Sequence, residues 1–161
     1  MSLARLVVAM TDDLATRSYD TLAVDVGDRR EHVATVTIDR PDKRNALNRR
    51  VREEVKDCVG VAEADDEVRV LVLTGSDECN AFVAGADVSE LEDRDNLDQR
   101  ATSARPRIYD AVYETGLPTI ARLNGHTLGG GCELAMACDV RIAAAGSKLG
   151  QPEINLGIIP G

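Results

Sequence analysis

Two stretches near the start of the chain carry apolar residues at every second position. They run from Tyr19 to Val26 and from His32 to Asp39, with a polar turn at residues 27–30 between them. A period of two is typical of a strand that buries one face. The pattern therefore predicts a β-hairpin at the start of the fold.

The next stretch changes to a helical period. Apolar residues recur three or four positions apart from Asn48 to about Ala64, with charged residues between them. Asn48 is a suitable N-cap, because its side chain can accept a hydrogen bond from a free N–H of the first turn. The unbroken apolar run from Val70 to Leu73 follows, within a strand predicted over residues 68–74. A strand that is apolar on both faces indicates a parallel sheet buried between two layers.

Strands and helices continue to alternate to the end of the chain, which predicts an α/β fold. No internal repeat of fixed period is evident in the sequence. The further elements expected are a loop at 75–87, a weak helix at 88–98, a helix at 100–115, a strand at 118–123, a helix at 133–138, a strand at 140–144 and a loop at 146–161.

The charge balance restricts the possible partners. The 161 residues carry a formal net charge of −9, with 16 Arg against 3 Lys and 17 Asp against 11 Glu. Binding to a phosphate backbone depends on cationic side chains, so nucleic acid and anionic membranes are not expected as partners. Scarce Lys and abundant Asp favour a salt-adapted protein, since salt screens the repulsion between like charges.

Cysteine usage and the N-terminus both predict a cytoplasmic protein. The four cysteines form no C-x-x-C pair, and with only two histidines no zinc site is expected. The apolar run near Met1 is short and lacks a cleavage site, so neither secretion nor membrane spanning is expected. Residues 1–18 are interpreted as a flexible leader and residues 19–161 as the core.

Two glycine-containing loops follow two of the predicted strands. One contains Ala84, Gly85 and Ala86, and the other contains the run from Gly129 to Gly131 just before a helix. A helix N-terminus offers free N–H groups and the positive end of a dipole, which suits an anion or a developing oxyanion. The glycine run alone could equally be a tight turn, and the Ala84–Ala86 loop alone favours a turn, but two such loops after adjacent strands favour a pair of backbone donors.

Two carboxylates stand near these loops. Glu133 follows the glycine run and precedes an apolar segment, and Glu153 lies beside Ile154. Taken alone, either could be a solvated surface acid. A carboxylate among glycine and apolar neighbours, however, suits acid–base chemistry. The serine-hydrolase elbow, the P-loop and the dinucleotide-binding glycine motif are all absent from the sequence.

Four segments in this order resemble the enoyl-CoA hydratase/isomerase (crotonase) family. They are Arg40–Asn48, Phe82–Asp87, Asn124–Asp139 and Gly150–Gly161, and the resemblance runs from about Tyr19 to the last residue. It implies a crotonase-like spiral of ββα units that is truncated at the C-terminus. It also implies a homotrimer or hexamer where the later helices of the family are present.

The resemblance also implies roles for particular residues. The backbone N–H groups of Ala86 and Gly130 would form an oxyanion hole for a thioester carbonyl. Glu133 and Glu153 would hold a water and move its proton, and the resemblance leaves open which is the acid and which the base. No metal and no separate cofactor would be needed, because coenzyme A is part of the substrate. The residues matching segments that line coenzyme A are Asn45, Ala46, Ala84, Asp87 and Val88.

The expected function is therefore hydration of a trans-2-enoyl-CoA, because both acidic positions are filled. Two alternatives remain open at this stage. One is an enoyl-CoA isomerase or another acyl-CoA enzyme of the same family. The other is a non-catalytic module that binds acyl-CoA or oligomerises.

Overall fold

The computed structural model describes residues 13–27, 30–92, 105–157 and 159–160. Within these residues there are eight strands. They are β1 (Leu22–Val26), β2 (Val33–Ile38), β3 (Val70–Gly75), β4 (Ala81–Val83), β5 (Thr119–Leu123), β6 (His126–Leu128), β7 (Val140–Ala143) and β8 (Leu149–Gly150).

The larger sheet has five strands in the order β1-β2-β3-β5-β7. Strands β1 and β2 pair antiparallel, with Leu22 opposite Ile38 and Val26 opposite Ala34, which confirms the predicted hairpin. Every other neighbouring pair in this sheet is parallel. The parallel strand expected at the centre is therefore confirmed as β3.

A second, three-stranded sheet has the order β4-β6-β8. The expectation that residues 75–87 and 146–161 form only loops is wrong, because β4 and β8 lie within them. Strand β6 occupies the segment between Asn124 and the glycine run, where the sequence indicated only a turn. Strands of two or three residues are too short to show a hydrophobic period, so the pattern could not reveal them.

The described helices are α1 (Arg49–Ala64), α2 (Val88–Glu92), α3 (Ile108–Glu114) and α4 (Gly130–Ala137). Asn48 caps α1 as predicted, since its side chain accepts a hydrogen bond from the N–H of Val51 at 2.9 Å. Helix α4 begins three residues earlier than expected and takes in two of the three glycines. Residues 93–98 of the predicted weak helix, and residues 100–104 of the next, lie outside the described part of the chain. Short 3-10 helices span Leu14–Thr16, Pro41–Lys43 and Pro152–Leu156.

The two sheets are built by a repeating unit. Strands β3, β5 and β7 enter the larger sheet, and the strand after each of them, β4, β6 and β8, enters the smaller one. A helical segment follows each pair: α2 after β4, α4 after β6 and the 3-10 helix Pro152–Leu156 after β8. This confirms the expected succession of ββα units, although the sequence shows no repeat of fixed length.

The core lies between the larger sheet and helices α1 and α3. Val51 and Val55 of α1 and Leu71 of β3 are fully buried, and Phe82 of β4 is 0% exposed. Burial of aliphatic and aromatic side chains of this kind stabilises the fold by roughly 1.5–3 kcal/mol per side chain. Of the expected leader at residues 1–18, only residues 13–18 are described, and within them Leu14 is fully buried.

A buried carboxylate joins α1 to the start of β1. Glu54 is 5% exposed and accepts hydrogen bonds from the N–H groups of Asp20 and Thr21, both at 2.9 Å. The hydroxyl of Thr21 and the guanidinium of Arg50 donate to the same carboxylate. A buried charge needs such partners, and here they hold the sheet edge against the helix.

Candidate active site

Two turns meet at one edge of the smaller sheet. Strand β4 leads into Gly85 and Ala86, and strand β6 leads into Gly129 and Gly130. Because β4 and β6 are parallel neighbours, their carboxyl ends deliver both turns to the same place. A Cβ atom built on Gly129 would lie 3.8 Å from the Cα atom of Gly85, so the turns are in contact.

The first turn orients the N–H of Ala86. Leu47 donates to the carbonyl of Gly85 at 2.8 Å, and Asp87 donates to the carbonyl of Leu47 at 3.1 Å. Successive N–H groups of extended backbone point to opposite sides, so the N–H of Ala86 points away from Leu47. In the described part of the chain no hydrogen bond uses this N–H as its donor.

The second turn presents the first N–H groups of α4. Gly130 is the first helical residue, and the leading N–H groups of a helix have no acceptor within it. Gly129 caps this end with φ +52° and ψ −126°, a backbone conformation that favours glycine. A Cβ atom on Gly131 would lie 2.3 Å from the carbonyl oxygen of Val83 in β4, so this helix packs closer to the small sheet than a side chain would allow.

Glu133 lies in the first turn of α4, half-buried, and its N–H donates to the carbonyl of Gly129 at 3.1 Å. The side chains of Glu133 and of Tyr109 in α3 line a common cleft. Burial, followed by the negative charge of Glu133, raises the pKa of Tyr109 well above its usual value. An open cleft of about 290 Å³ borders Glu133 and is lined by Arg107, Tyr109, Asp110, Tyr113, Glu133, Met136 and Ala137.

Glu153 reaches the same place from the 3-10 helix Pro152–Leu156. A Cβ atom built on Gly129 would lie only 2.6 Å from its Oε1 atom, so the carboxylate occupies the space beside the glycine. With its amide nitrogen facing the site, Gln151 donates to both carboxylate oxygens of Glu153, at 3.2 and 3.1 Å, and to the carbonyl of Gly129 at 3.3 Å. Gln151 thus ties Glu153 to the glycine turn.

The carboxylates of Glu133 and Glu153 both lie close enough to the thiol of Cys132 to influence its pKa. Burial raises the pKa of Cys132, and the negative charges of Glu133 and Glu153 raise it further. The structure therefore brings four predicted residues to one region: Ala86 and Gly130 at the contacting turns, Glu153 against Gly129, and Glu133 in the first turn of α4. Two backbone donors can hold a developing oxyanion, and two carboxylates beside them can hold a water and exchange protons with it.

Of the five residues expected to line coenzyme A, Ala84, Asp87 and Val88 lie along the first turn. Asn45 and Ala46 lie in the segment just before α1. Asn45 is fully buried with φ +57°; its side chain accepts from the N–H of Arg40 at 3.0 Å and donates to the carbonyl of Ala81 at 2.9 Å. These bonds hold the Arg40–Asn45 turn against β4. The carbonyl of Ala46 accepts from the guanidinium of Arg40, and the N–H of Ala84 donates to Arg44.

Asp87 is also held within the fold. The hydroxyl of Ser89 donates to its carboxylate at 2.6 Å, and the guanidinium of Arg40 does so at 2.9 Å. The bond from Ser89 and the pairing with Arg40 lower the pKa of Asp87 despite its burial. Val88, by contrast, is 55% exposed. The side chains of Asn45 and Asp87 thus shape the loop, and its backbone and Val88 are what a ligand could reach.

Two residues of the site, Tyr109 and Gln151, were missed by sequence reasoning. Tyr109 lies in a predicted helix, but a period of 3.6 says only which face is buried and not which distant carboxylate it meets. Gln151 lies two positions before Glu153, and only Glu153 stood out in that segment as a candidate for proton transfer. Among the described residues no cluster of three or more His, Cys, Asp or Glu side chains is placed to hold a metal ion. No described helix is both long and apolar enough to cross a membrane.

The fold and the site place the chain in a known class of proteins. The family model for enoyl-CoA hydratase/isomerase matches residues 28–161, and the chain belongs to this family. It is 44% identical over 130 residues to a short-chain-enoyl-CoA hydratase of Clostridium acetobutylicum, covering 80% of this chain and 49% of the relative. It is 42% identical over 135 residues to a crotonyl-CoA hydratase of Syntrophomonas wolfei, covering 83% and 52%.

Solved structures show the same fold. An enoyl-CoA hydratase from Bacillus anthracis superposes with a TM-score of 0.78 at 33% identity, covering 88% of this chain and 54% of that one. DspI from Pseudomonas aeruginosa superposes with a TM-score of 0.81 at 30% identity, covering 91% and 55%. The crotonase-like fold is thereby confirmed. The chain spans about half the length of the curated relatives it matches.

Proposed function

We propose that this chain carries the reaction centre of an enoyl-CoA hydratase, which adds water to the double bond of a trans-2-enoyl-CoA thioester. The observation that carries the proposal is the meeting of the two turns, with the Glu153 carboxylate against Gly129 and Glu133 in the first turn of the helix that Gly129 caps. Two relatives at 44% and 42% identity are named as hydratases of short-chain enoyl-CoA and crotonyl-CoA, which supports the same reaction class and a short acyl chain.

In the proposed mechanism the thioester carbonyl oxygen accepts hydrogen bonds from the N–H groups of Ala86 and Gly130. These donors are strongest when negative charge develops on that oxygen, so they stabilise the enolate-like transition state. Withdrawal of electrons by the bound carbonyl makes the β-carbon electrophilic. Removal of either donor from such a hole costs roughly 10²–10³ in turnover in comparable sites.

The two carboxylates supply the proton chemistry. One glutamate takes a proton from the water as its oxygen bonds to the β-carbon, and a proton is delivered to the α-carbon as the enolate collapses. The net change adds one hydroxyl and one hydrogen across the double bond, and no electrons leave the substrate. The Gln151 amide holds Glu153 in place for this step.

The segment with Asn45 and Ala46, together with the turn from Ala84 to Val88, is proposed to bind the coenzyme A part of the substrate. Ala46, Ala84 and Val88 would line it, while the buried side chains of Asn45 and Asp87 keep its shape. No metal and no separate cofactor enters the proposal.

The test is hydration of crotonyl-CoA, followed by loss of the enoyl-thioester absorbance. Glu133→Gln and Glu153→Gln keep the size of the side chain but remove its charge, and each is expected to lower kcat by at least about 100-fold, the usual contribution of a general acid or base. Glu78→Gln is the matched control, because Glu78 is exposed in the β3–β4 connection. Unchanged turnover in either active-site variant would exclude the mechanism.

A 3-enoyl-CoA substrate separates hydration from double-bond migration. The hydratase predicts a 3-hydroxyacyl product from the 2-enoyl substrate and no net migration from the 3-enoyl substrate. Binding of the thioester by calorimetry without either reaction would instead indicate a non-catalytic acyl-CoA module.

The proposal also covers the cellular location of the protein, its activity at high salt and its oligomeric state. Four unpaired cysteines support a reducing, cytoplasmic location. The net charge of −9 supports a protein that keeps its activity at high salt. We further propose a trimer or hexamer for a protein that carries the whole family domain, supported by the exposed apolar side chains of Val140 and Ile142 on edge strand β7. Light scattering after size-exclusion chromatography tests the assembly.

A further inference from the structure

Arg40 joins the segment before α1 to the turn at residues 85–87, which carries the N–H of Ala86. Its side chain is 16% exposed, and its guanidinium donates at 2.9 Å to the carboxylate of Asp87, whose side chain is 8% exposed. The other terminal nitrogen of the same guanidinium donates to the carbonyl of Ala46. One rigid, planar group therefore bonds to both segments at once.

Between these two contacts the backbones of Leu47 and Ala86 are paired. Leu47 donates to the carbonyl of Gly85 at 2.8 Å and accepts from the N–H of Asp87 at 3.1 Å. The N–H of Ala86 lies on the other side of the turn and points away from Leu47. Both bonds run to the single residue Leu47, so a contact at another point is needed to stop the turn from rotating about them.

The guanidinium of Arg40 makes that contact from a fixed base. The N–H of Arg40 donates to the side chain of Asn45 at 3.0 Å, and its carbonyl accepts from the N–H of Asn45 at 2.9 Å. This small turn is bonded to both ends of β4: Asn45 donates to the carbonyl of Ala81 at 2.9 Å, and Ala84 donates to the carbonyl of Arg44 at 3.1 Å. The base of the Arg40 side chain is therefore fixed to β4.

The carboxylate of Asp87 is held at both of its oxygens. Oδ2 accepts from Arg40, and Oδ1 accepts from the hydroxyl of Ser89 at 2.6 Å. The bond from Ser89 and the pairing with Arg40 lower the pKa of Asp87, so the carboxylate is ionised at neutral pH. A buried, ionised carboxylate keeps such partners because it has little water to turn to.

We propose that Arg40 is a positioning residue for the backbone donor of Ala86: its guanidinium, bonded to Asp87 and to the carbonyl of Ala46, stops the turn at residues 85–87 from rotating. The N–H of Ala86 then keeps one direction before substrate binds. This inference rests on the proposed function, because it takes that N–H as a donor to the thioester oxygen. Arg40 touches no reacting atom in this scheme and acts only through the turn.

The first test is Arg40→Gln, assayed for crotonyl-CoA hydration. We expect kcat to fall roughly 10- to 100-fold, since misplacement of a group by about 1 Å can cost about 100-fold, while KM changes by less than about threefold. A contact that strengthens as charge develops on the substrate affects kcat rather than KM. A rise in KM at unchanged kcat would overturn the inference, because Arg40 would then serve substrate binding.

Arg50→Gln is the matched control. Arg50 also donates to a buried carboxylate, that of Glu54 at 2.7 Å with a side chain 6% exposed, but at the start of β1. That carboxylate keeps its donors from Asp20 and Thr21 when the guanidinium is removed, as Asp87 keeps Ser89. The control should leave kcat and KM as in the parent protein. An equal loss of kcat in the two variants would overturn the inference.

The double variant Arg40→Gln/Asp87→Asn keeps the test decisive if Arg40→Gln does not fold. Removal of one partner leaves a buried charge unpaired, whereas removal of both charges does not. Because the pair acts as a unit, the double variant should lose no more kcat than either single variant. A folded double variant with the kcat of the parent would overturn the inference, and so would single losses that multiply.

The carbonyl stretch of bound butyryl-CoA reports the oxyanion hole without turnover. This saturated thioester has no double bond to hydrate, and hydrogen bonds to its carbonyl oxygen lower the stretching frequency in the infrared spectrum. We expect a smaller lowering in Arg40→Gln than in the parent and in Arg50→Gln. An equal lowering in all three would overturn the inference.

This measurement also separates the inference from the proposed function. A parent protein that lowers the frequency of butyryl-CoA without hydrating crotonyl-CoA would exclude the proposed function, and the spectrum of Arg40→Gln would still decide the inference. A parent protein that leaves the frequency unchanged has no oxyanion hole, and both proposals then fail.

Discussion

Replacement of Gly129 by alanine should separate the position of Glu153 from the stability of the fold. The new Cβ atom would lie 2.6 Å from Oε1 of Glu153, much less than a van der Waals contact. The carboxylate is the end of a flexible side chain, so it is expected to move rather than the backbone. That movement breaks its contact with the amide of Gln151, which also bonds to the carbonyl of Gly129.

The cost to stability and the cost to turnover can be measured separately. Gly129 has φ +52° and ψ −126°, and alanine in that region costs about 1–3 kcal/mol of backbone strain. Displacement of a carboxylate by an ångström or more from the reacting water lowers a rate by about 100-fold. We therefore expect Gly129→Ala to lower kcat for crotonyl-CoA hydration nearly as far as Glu153→Gln does.

Gly27→Ala is the control for strain alone. Gly27 also has a positive φ, +82°, but a Cβ atom there would meet nothing within 4 Å. It should lower the free energy of unfolding by about the same 1–3 kcal/mol and leave kcat unchanged.

Chemical denaturation and steady-state kinetics on the same preparations give both quantities. Full turnover by a folded Gly129→Ala variant would refute the reasoning, because Glu153 would then act from elsewhere. Equal losses of turnover in the two glycine variants would show that strain, and not displacement of Glu153, is responsible.

Two further predictions concern the fold and its thiols. Glu54→Gln should lower the free energy of unfolding by about 1.5–3 kcal/mol, the value of hydrogen bonds to a buried charge. Burial alone would raise the pKa of Glu54, but its bonds to Thr21, Asp20 and Arg50 outweigh burial and lower it. The stabilisation is therefore present above the pKa of this carboxyl in the unfolded chain and is lost as pH falls through its pKa in the folded protein. The denaturation curves of parent and variant should therefore converge in acid. Curves that stay equally separated at every pH would contradict this. Burial raises the pKa of Cys58 to about 12, so this thiol should react with a thiol reagent only after unfolding. Its reaction should be slower than that of the partly exposed Cys132. A rapid reaction of Cys58 in the folded protein would contradict its burial.

The larger sheet could be predicted from the sequence and the smaller one could not. Strands β1, β2 and β3 are long enough for alternation or an apolar run to appear, and Asn48 marks the start of α1 chemically. Strands β4, β6 and β8 have three, three and two residues, and their pairing partners are distant in sequence. Their existence depends on tertiary packing, which local pattern does not contain.

The candidate site divides in a similar way. Glu133 and Glu153 stood out because glycine and apolar residues surround them in the sequence. That Glu153 lies against Gly129, and that Gln151 binds its carboxylate, follows from parallel strands bringing remote turns together. The oxyanion-hole roles of Ala86 and Gly130 stay predictions, as do those of the residues expected to line coenzyme A.

The succession of ββα units also affects the order in which the site can form. Ala86 follows β4, Gly130 follows β6 and Glu153 follows β8, so three consecutive units each supply one part. Contacts between residues far apart in sequence form late, because closing the intervening loops costs entropy before any contact repays it. During refolding, regain of secondary structure should therefore precede regain of any activity, and the docking of the last short strand becomes the step that completes the candidate site.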